Sequence, residues 1–199
     1  YRVDNAVGND AGAAYVIAGR AFSAPEGQIE VMCDTLFEYQ GSQAGGNTGR
    51  GITAMGDVNG DGCDEFAVGS RTEDRLDLRD EGAVRILYGY GRPGCPPGPR
   101  MNRFATGERF SQAGWSLASG DLDSDGIPDL AVGVWQRRIE NIPVGGVWVM
   151  PGDRLRSLPL KSIPVADSEE PVLLNQWGSE WLIEGRIRDG QTGYQVAIV

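Results

Sequence analysis

The 199-residue chain contains no histidine. That absence excludes every mechanism that needs an imidazole: the Ser-His-Asp triad, the Cys-His pair and the His-ligated zinc site. Cysteine is scarce, at three residues, Cys33, Cys63 and Cys95, with no CxxC spacing that would suggest zinc or redox chemistry. Positive charge is in deficit: 18 Lys and Arg against 28 Asp and Glu give a net charge of −10. That balance argues against DNA or RNA as the main partner, since phosphate binding needs clustered Lys and Arg. No apolar run approaches the 18 or so residues of a membrane-spanning helix, and no stretch carries a convincing 3.6-residue apolar stripe. Glycine, by contrast, is abundant at 30 residues, with 11 prolines, so the chain is turn-dense and long helices are not expected. The chain opens at Tyr1 without Met, basic n-region or apolar h-region, which fits a signal peptide either removed or never included, and both ends read as cuts inside a repeating pattern.

The repeat is visible by direct comparison. GDVNGDGCDEFAVG at 56–69 aligns with GDLDSDGIPDLAVG at 120–133, sixty-four residues on. A second landmark keeps step: GAAYVIAG at 12–19, GAVRILYG at 82–89 and GGVWVMPG at 145–152. A degenerate fourth copy of the first landmark, GRIRDGQTGYQVAI, occupies 185–198. The chain therefore divides into the back half of one repeat (1–48), two whole repeats (49–109 and 110–176) and the front half of another (177–199). Each whole repeat offers four short segments rich in β-branched and aromatic residues between Gly, Pro or Asp clusters. They fall at 51–54, 65–68, 84–88 and 103–106, then at 115–118, 130–132, 147–150 and 172–174. Four strands per period describe one antiparallel sheet, which cannot bury both faces alone. The expected fold is all-β, with about three blades' worth of β-propeller, as an incomplete ring or part of a larger one. A parallel β-helix is the competing geometry, but its periods are usually shorter.

The loops 57–65 and 121–129 carry the chemistry. The first sets Asp57, Asn59 and Asp61 at alternate positions before Gly62; the second sets Asp121, Asp123 and Asp125 before Gly126. Oxygens on alternate residues of a tight turn point to one centre, and such a cluster repels itself without a cation. A hard ion with six or seven oxygen ligands relieves it, which favours Ca2+ over zinc or copper, and over magnesium, which prefers to keep its waters. Cys63 and Ile127 would contribute backbone carbonyls, and Glu65 and Asp129 would close the cage. An EF-hand is excluded, because its twelfth-position Glu would fall on Val68 and Val132. The plain alternative is a pair of Asx-type turns that hold no ion. The fourth copy has Arg186 and Arg188 at ligand positions and should hold none.

These residues resemble the FG-GAP repeat of integrin α-subunit propellers and their bacterial relatives. Residues 49–56 and 110–116 are similar to the variable "FG" half, and 145–148 to the "GAP" half. The resemblance implies a propeller with structural calcium in the hairpin joining the first two strands of a blade, and a ligand surface on the opposite face. It also implies other chains or further blades, since rings close with about four to eight. Glu65 departs from the usual Asp.

The function expected is a non-enzymatic, extracellular, secreted or periplasmic or cell-surface module for protein or glycan recognition and adhesion. Weak calcium sites would stand mostly empty in cytosol. One alternative is a structural accessory subunit of a larger assembly; another is a propeller attached to a metal-dependent hydrolase or lyase. Cys33 and Cys95 both precede a fourth strand in neighbouring repeats and could pair. The loops 71–81 and 135–143 join second and third strands, so family analogy puts them on the ligand face, with Trp135 and Arg137 as candidate contacts. For any single residue there, a solvated charged loop is the simpler reading. Trp115, Trp148, Trp177 and Trp181 read as core.

Overall fold

The computed structural model describes residues 4–17, 35–89, 93–162, 171–176, 182–187, 190 and 192–198. Strands β1 (Ala13–Ile17) and β2 (Thr35–Gln40) pair antiparallel as a first sheet. The second sheet runs β3 (Thr48–Gly56), β4 (Glu65–Ser70), β5 (Ala83–Tyr88) and β6 (Arg100–Ala105), each antiparallel to the next. The third contains β7 (Leu117–Gly120), β8 (Asp129–Gly133), β11 (Gly146–Met150) and β14 (Leu182–Glu184) in that spatial order. A small hairpin, β9 (Arg138–Ile139) with β10 (Ile142–Pro143), fills the β8–β11 connection. One short helix, α1 (Gly152–Arg156), follows β11. The molecule is all-β, and its sheets are open blades of the propeller type, as the four-strand period predicts.

Two assignments change. Residues 172–174 were expected as the fourth strand of the third blade. Instead β13 (Val172–Leu173) lies parallel to Phe104 and Ala105 of β6, in the second sheet. Beside it, β12 (Lys161–Ser162) pairs with Arg100 and Met101 of the same strand. The apolar Val-Leu-Leu run finds its burial there, with Leu174 at 1% exposure. The third sheet is closed by β14, a half-polar edge strand beyond the expected limit at 176, whose Gly146–Glu184 register starts the pairing with β11. Trp177 and Trp181 lie outside the described residues.

The blades stack face to face, as strand periodicity dictates. In β4 and β5, Ala67, Val84 and Ile86 join a core with Leu130, Val132, Trp148 and Met150 of the third sheet. The alternate residues Val68 and Leu87 pack instead with Ala14 and Tyr39 of the first. Parallel bridges stitch consecutive sheets: Gly12 to Thr48, Gly82 to Ala113 and Gly145 to Thr192. Glycine is required where the backbones meet. A Cβ on Gly69 would stand 2.1 Å from the Gly114 carbonyl oxygen, and one on Gly133 would stand 2.2 Å from that of Gly193.

The cysteine pairing also differs from expectation. Cys63 bonds Cys95, tying the first acidic loop to the β5–β6 connection, so Cys95 is not the partner of Cys33. Cys33 lies outside the described residues. The two cysteines meet because the β3–β4 and β5–β6 turns emerge at the same end of the sheet.

Candidate metal centre

The two acidic loops share a common set of hydrogen bonds, to which the first adds Gly60 N–H to Asp57 (2.7 Å) and Asn59 N–H to Glu65 (3.3 Å). Asp57 accepts from the backbone N–H of Asp61 (2.9 Å) and Gly62 (2.9 Å). Asp121 does the same with Asp125 (3.0 Å) and Gly126 (3.0 Å). Asn59 accepts from Asp61 N–H, as Asp123 does from that of Asp125. Asp61 accepts from Cys63 N–H and Asp125 from Ile127 N–H. These Asx-type bonds hold the side-chain oxygens inward around each turn. Gly62 and Gly126 take φ of 86° and 84°, the left-handed region that the turn demands and glycine allows. At the tip, Gly60 (φ 78°) is matched by Ser124 (φ 64°), which accepts the strained conformation with a side chain.

The closing carboxylates are buried, Glu65 at 1% and Asp129 at 2% exposure. Each fastens two elements. Glu65 accepts from Val58 N–H with one oxygen (3.0 Å) and from Gly89 N–H with the other (3.4 Å). Asp129 accepts from Leu122 N–H (2.7 Å) and from Gly152 N–H (2.8 Å). The hairpin tip is thus pinned to the end of the third strand of its own sheet. Next to Glu65, β3 carries a bulge at buried Met55, where it gains one residue over β4. Burial pushes the Glu65 carboxyl up to about 7, with the charges of Asp61 and Asp57 adding to it and the N–H groups of Asn59 and Gly89 opposing.

The loops differ electrostatically. In the second, ligand oxygens of Asp121, Asp123 and Asp129 lie within 4.8 Å of one another. Desolvation, together with the charges of Asp125, Asp129 and Asp121, raises the Asp123 carboxyl. In the first, an amide (Asn59) replaces one acid and donates to Asp61 at 3.1 Å, while Arg100 of β6 pairs with Asp61 at 2.9 Å. All-oxygen donors gathered this closely fit a hard divalent cation. In the fourth copy, Arg186 is exposed and Arg188 lies outside the described residues.

In the loop 71–81, Asp74, Leu76, Asp77 and Arg79 are exposed, but two of its acids are buried. Glu73 is 4% exposed and receives a bidentate fork from Arg85 (2.7 and 2.8 Å) and a further bond from Arg103. Glu81, fully buried, accepts from Arg75 and from Gly107 N–H. The sequence signal for this was an arginine, Arg85, inside an otherwise apolar strand. Of the other candidates, Trp135 donates its indole N–H to Gln112 and packs tilted against Trp115 with ring centroids 4.6 Å apart, while Arg137 pairs with Glu108 and Glu184. Trp148 is core; Trp115 is only half-buried.

Comparison with known proteins agrees with this geometry. The model of the FG-GAP repeat matches residues 44–87 and 113–137, each spanning an acidic loop and its flanking strands. Human integrin alpha-D is 31% identical over 152 residues, 74% of this chain and 12% of that protein. Mouse integrin alpha-X is 36% identical over 104 residues, covering 51% of the chain and 9% of the relative. Human phosphatidylinositol-glycan-specific phospholipase D is 26% identical over 122 residues, 61% of the chain and 14% of the enzyme. The chain thus spans a small fraction of each of these relatives. With the matched loops, the stacked four-stranded sheets and these similarities together, the chain is an integrin α-like FG-GAP repeat protein.

Proposed function

We propose that the chain is a calcium-stabilised, non-enzymatic recognition module of the adhesion type, working outside the cell or at its surface on a protein or glycan ligand. The observation that carries the calcium reading is the paired loops, which repeat a shared set of hydrogen bonds sixty-four residues apart and, in the second, gather the carboxylates of Asp121, Asp123 and Asp129. The ligands proposed are Asp57, Asn59, Asp61, the Cys63 carbonyl and Glu65, then Asp121, Asp123, Asp125, the Ile127 carbonyl and Asp129. The ion's role is structural: it would neutralise anions that otherwise repel and lock the β3–β4 and β7–β8 turns. The integrin similarity supports the adhesion-type, extracellular reading. The repeats divide as 1–48, 49–109, 110–176 and 177–199, and the third sheet takes its edge strand, β14, from the fourth unit. Other chains or further blades would complete the ring.

The phospholipase D similarity favours a second reading, a propeller carried by a hydrolase, with the repeats as scaffold.

Calorimetric titration and thermal melts with calcium and with EDTA test the first reading. Two sites of about 0.1 mM affinity in about 1 mM calcium contribute roughly 1.4 kcal/mol each. Their combined loss should lower Tm by about 6–12 °C. Asp121→Asn with Asp123→Asn should remove one site of the two. Identical melts in calcium and EDTA, with no heat of binding, would refute the reading.

A further inference from the structure

Asn59 is the only one of the chain's seven asparagines that precedes a glycine. The others precede Ala6, Asp10, Thr48, Arg103, Ile142 and Gln176. A glycine leaves its own backbone nitrogen unshielded and lets the main chain swing toward the side chain before it. In the second acidic loop the same two positions are Asp123 and Ser124, so of the two loops only the first carries this pair.

The hydrogen bonds around Asn59 place a chemical group at each atom that such an approach would use. The Gly60 N–H donates to Asp57 Oδ1 at 2.7 Å, inside the range for a general base. The Asn59 side-chain oxygen accepts from the Asp61 N–H at 2.8 Å, a donor aimed at the oxygen on which charge would build. The Asn59 amide nitrogen donates to Asp61 Oδ2 at 3.1 Å. Gly60 and Asp57 are exposed and Asn59 is half-buried, so water reaches the site. Asp61 and Asp125 also precede glycines, but an ionised carboxylate resists a nucleophile where a neutral amide does not.

We propose that Asn59 is a self-modifying residue, converted to aspartate and isoaspartate by the Gly60 backbone nitrogen when the loop holds no calcium. The Gly60 nitrogen bonds to Asn59 Cγ, and its proton passes through Asp57 to the departing amide nitrogen. The Cγ–Nδ2 bond breaks, ammonia leaves, and a succinimide ring remains. Water then opens the ring. Attack at Cγ gives aspartate, which matches Asp123 of the second loop. Attack at the main-chain carbonyl carbon of residue 59 gives isoaspartate, with the chain routed through Cγ. That isomer adds a methylene to the backbone between positions 59 and 60. It shifts Asp61 and Gly62 against Asp57, whose carboxylate holds the N–H groups of both. Loss of the ion would thus become permanent at the first loop and stay reversible at the second. With calcium bound, Asp57 and Asn59 are engaged as ligands and the attack is blocked; this dependence rests on the calcium reading, and the reaction itself does not.

The test ages the full chain in warm neutral buffer with EDTA or with about 1 mM calcium, then maps its peptides by mass spectrometry. In EDTA, Asn59 should gain the single mass unit of amide-to-acid exchange about tenfold faster than any other asparagine. Calcium should slow it at least about tenfold, since the ion takes the Asp57 base out of use. Gly60→Ser should slow it about tenfold in EDTA, and Ser124 at the equivalent tip, with φ of 64°, shows that the turn accepts the residue. On return to calcium, calorimetry of the aged chain should show the first site lost in proportion to isoaspartate and the second intact. Asn59 ageing no faster than exposed Asn9 and Asn141, or at an unchanged rate in Gly60→Ser, would overturn the proposal. So would equal rates in calcium and EDTA in a chain whose calorimetry shows both sites filled. An absence of calcium heat sinks the calcium reading instead, and the EDTA rates at Asn59 and in Gly60→Ser still decide this one.

Discussion

Replacing Glu73 with glutamine removes the one negative charge from a buried cluster of three ionised side chains. Arg85 is 1% exposed and Arg103 has 9% of its side chain exposed, and both converge on this carboxylate. Arg85 also donates to Ser70 Oγ (3.1 Å) and Ser42 Oγ (3.2 Å), neither of which can offset a charge. Breaking a buried pair by removing one partner costs about 3–5 kcal/mol, and here two guanidiniums are left facing each other. At roughly 2–4 °C per kcal/mol for a domain of this size, Tm should fall by about 6–20 °C. The effect carries a pH signature. Burial alone would raise the Glu73 carboxyl, but Arg85 and then Arg103 outweigh it and hold the group below its ordinary range. A carboxyl depressed in the folded state contributes fully above its unfolded pKa and loses that contribution as pH falls through the folded value. Urea denaturation of wild type and Glu73→Gln from pH 7 down to about pH 2.5 should therefore show a gap that narrows in acid, where protonated Glu73 resembles the amide. A variant within 1 kcal/mol or so of wild type at neutral pH, or a gap independent of pH, would refute the account.

Further outcomes follow from other contacts. Gly69→Ala places a methyl 2.1 Å from the Gly114 carbonyl oxygen between two sheets, and should cost about 3 kcal/mol or more in a chemical melt. The double variant Cys63→Ser, Cys95→Ser opens a loop of 32 residues' separation and should lose about 3–4 kcal/mol in a chemical melt. Arg100→Gln frees Asp61 from a partly exposed ion pair and should tighten calcium at the first loop by up to about fivefold in calorimetry, leaving the second loop as the internal control.

The repeat and its acidic loops were legible because they are local. An alternating Asp/Asn pattern followed by glycine specifies a turn through bonds spanning two to five residues, and two copies in register confirm each other. The strands of the second sheet were legible for the same reason. What escaped notice depends on contacts far apart in sequence. Nothing in Val172-Leu173-Leu174 distinguishes an outer strand of its own blade from one that returns to β6, about seventy residues earlier. Cys63 has no local mark selecting Cys95 over Cys33. Glu73 and Glu81 sit in a segment whose composition is that of a solvated loop, and the arginines reaching them from β5, β6 and the loop itself, with Gly107 N–H on Glu81, make their burial tolerable.

The return of 161–162 and 172–173 onto β6 has a mechanical consequence. A stack of blades joined only by nearest-neighbour faces could open one seam at a time. Here a strap from beyond the third sheet's β11 is laced onto the outer edge of the second, so parting the two blades means unlacing that edge as well. Amides of β6 and β8 should consequently exchange with solvent in a single cooperative step, and the strap also occupies an edge on which another chain could otherwise add a strand.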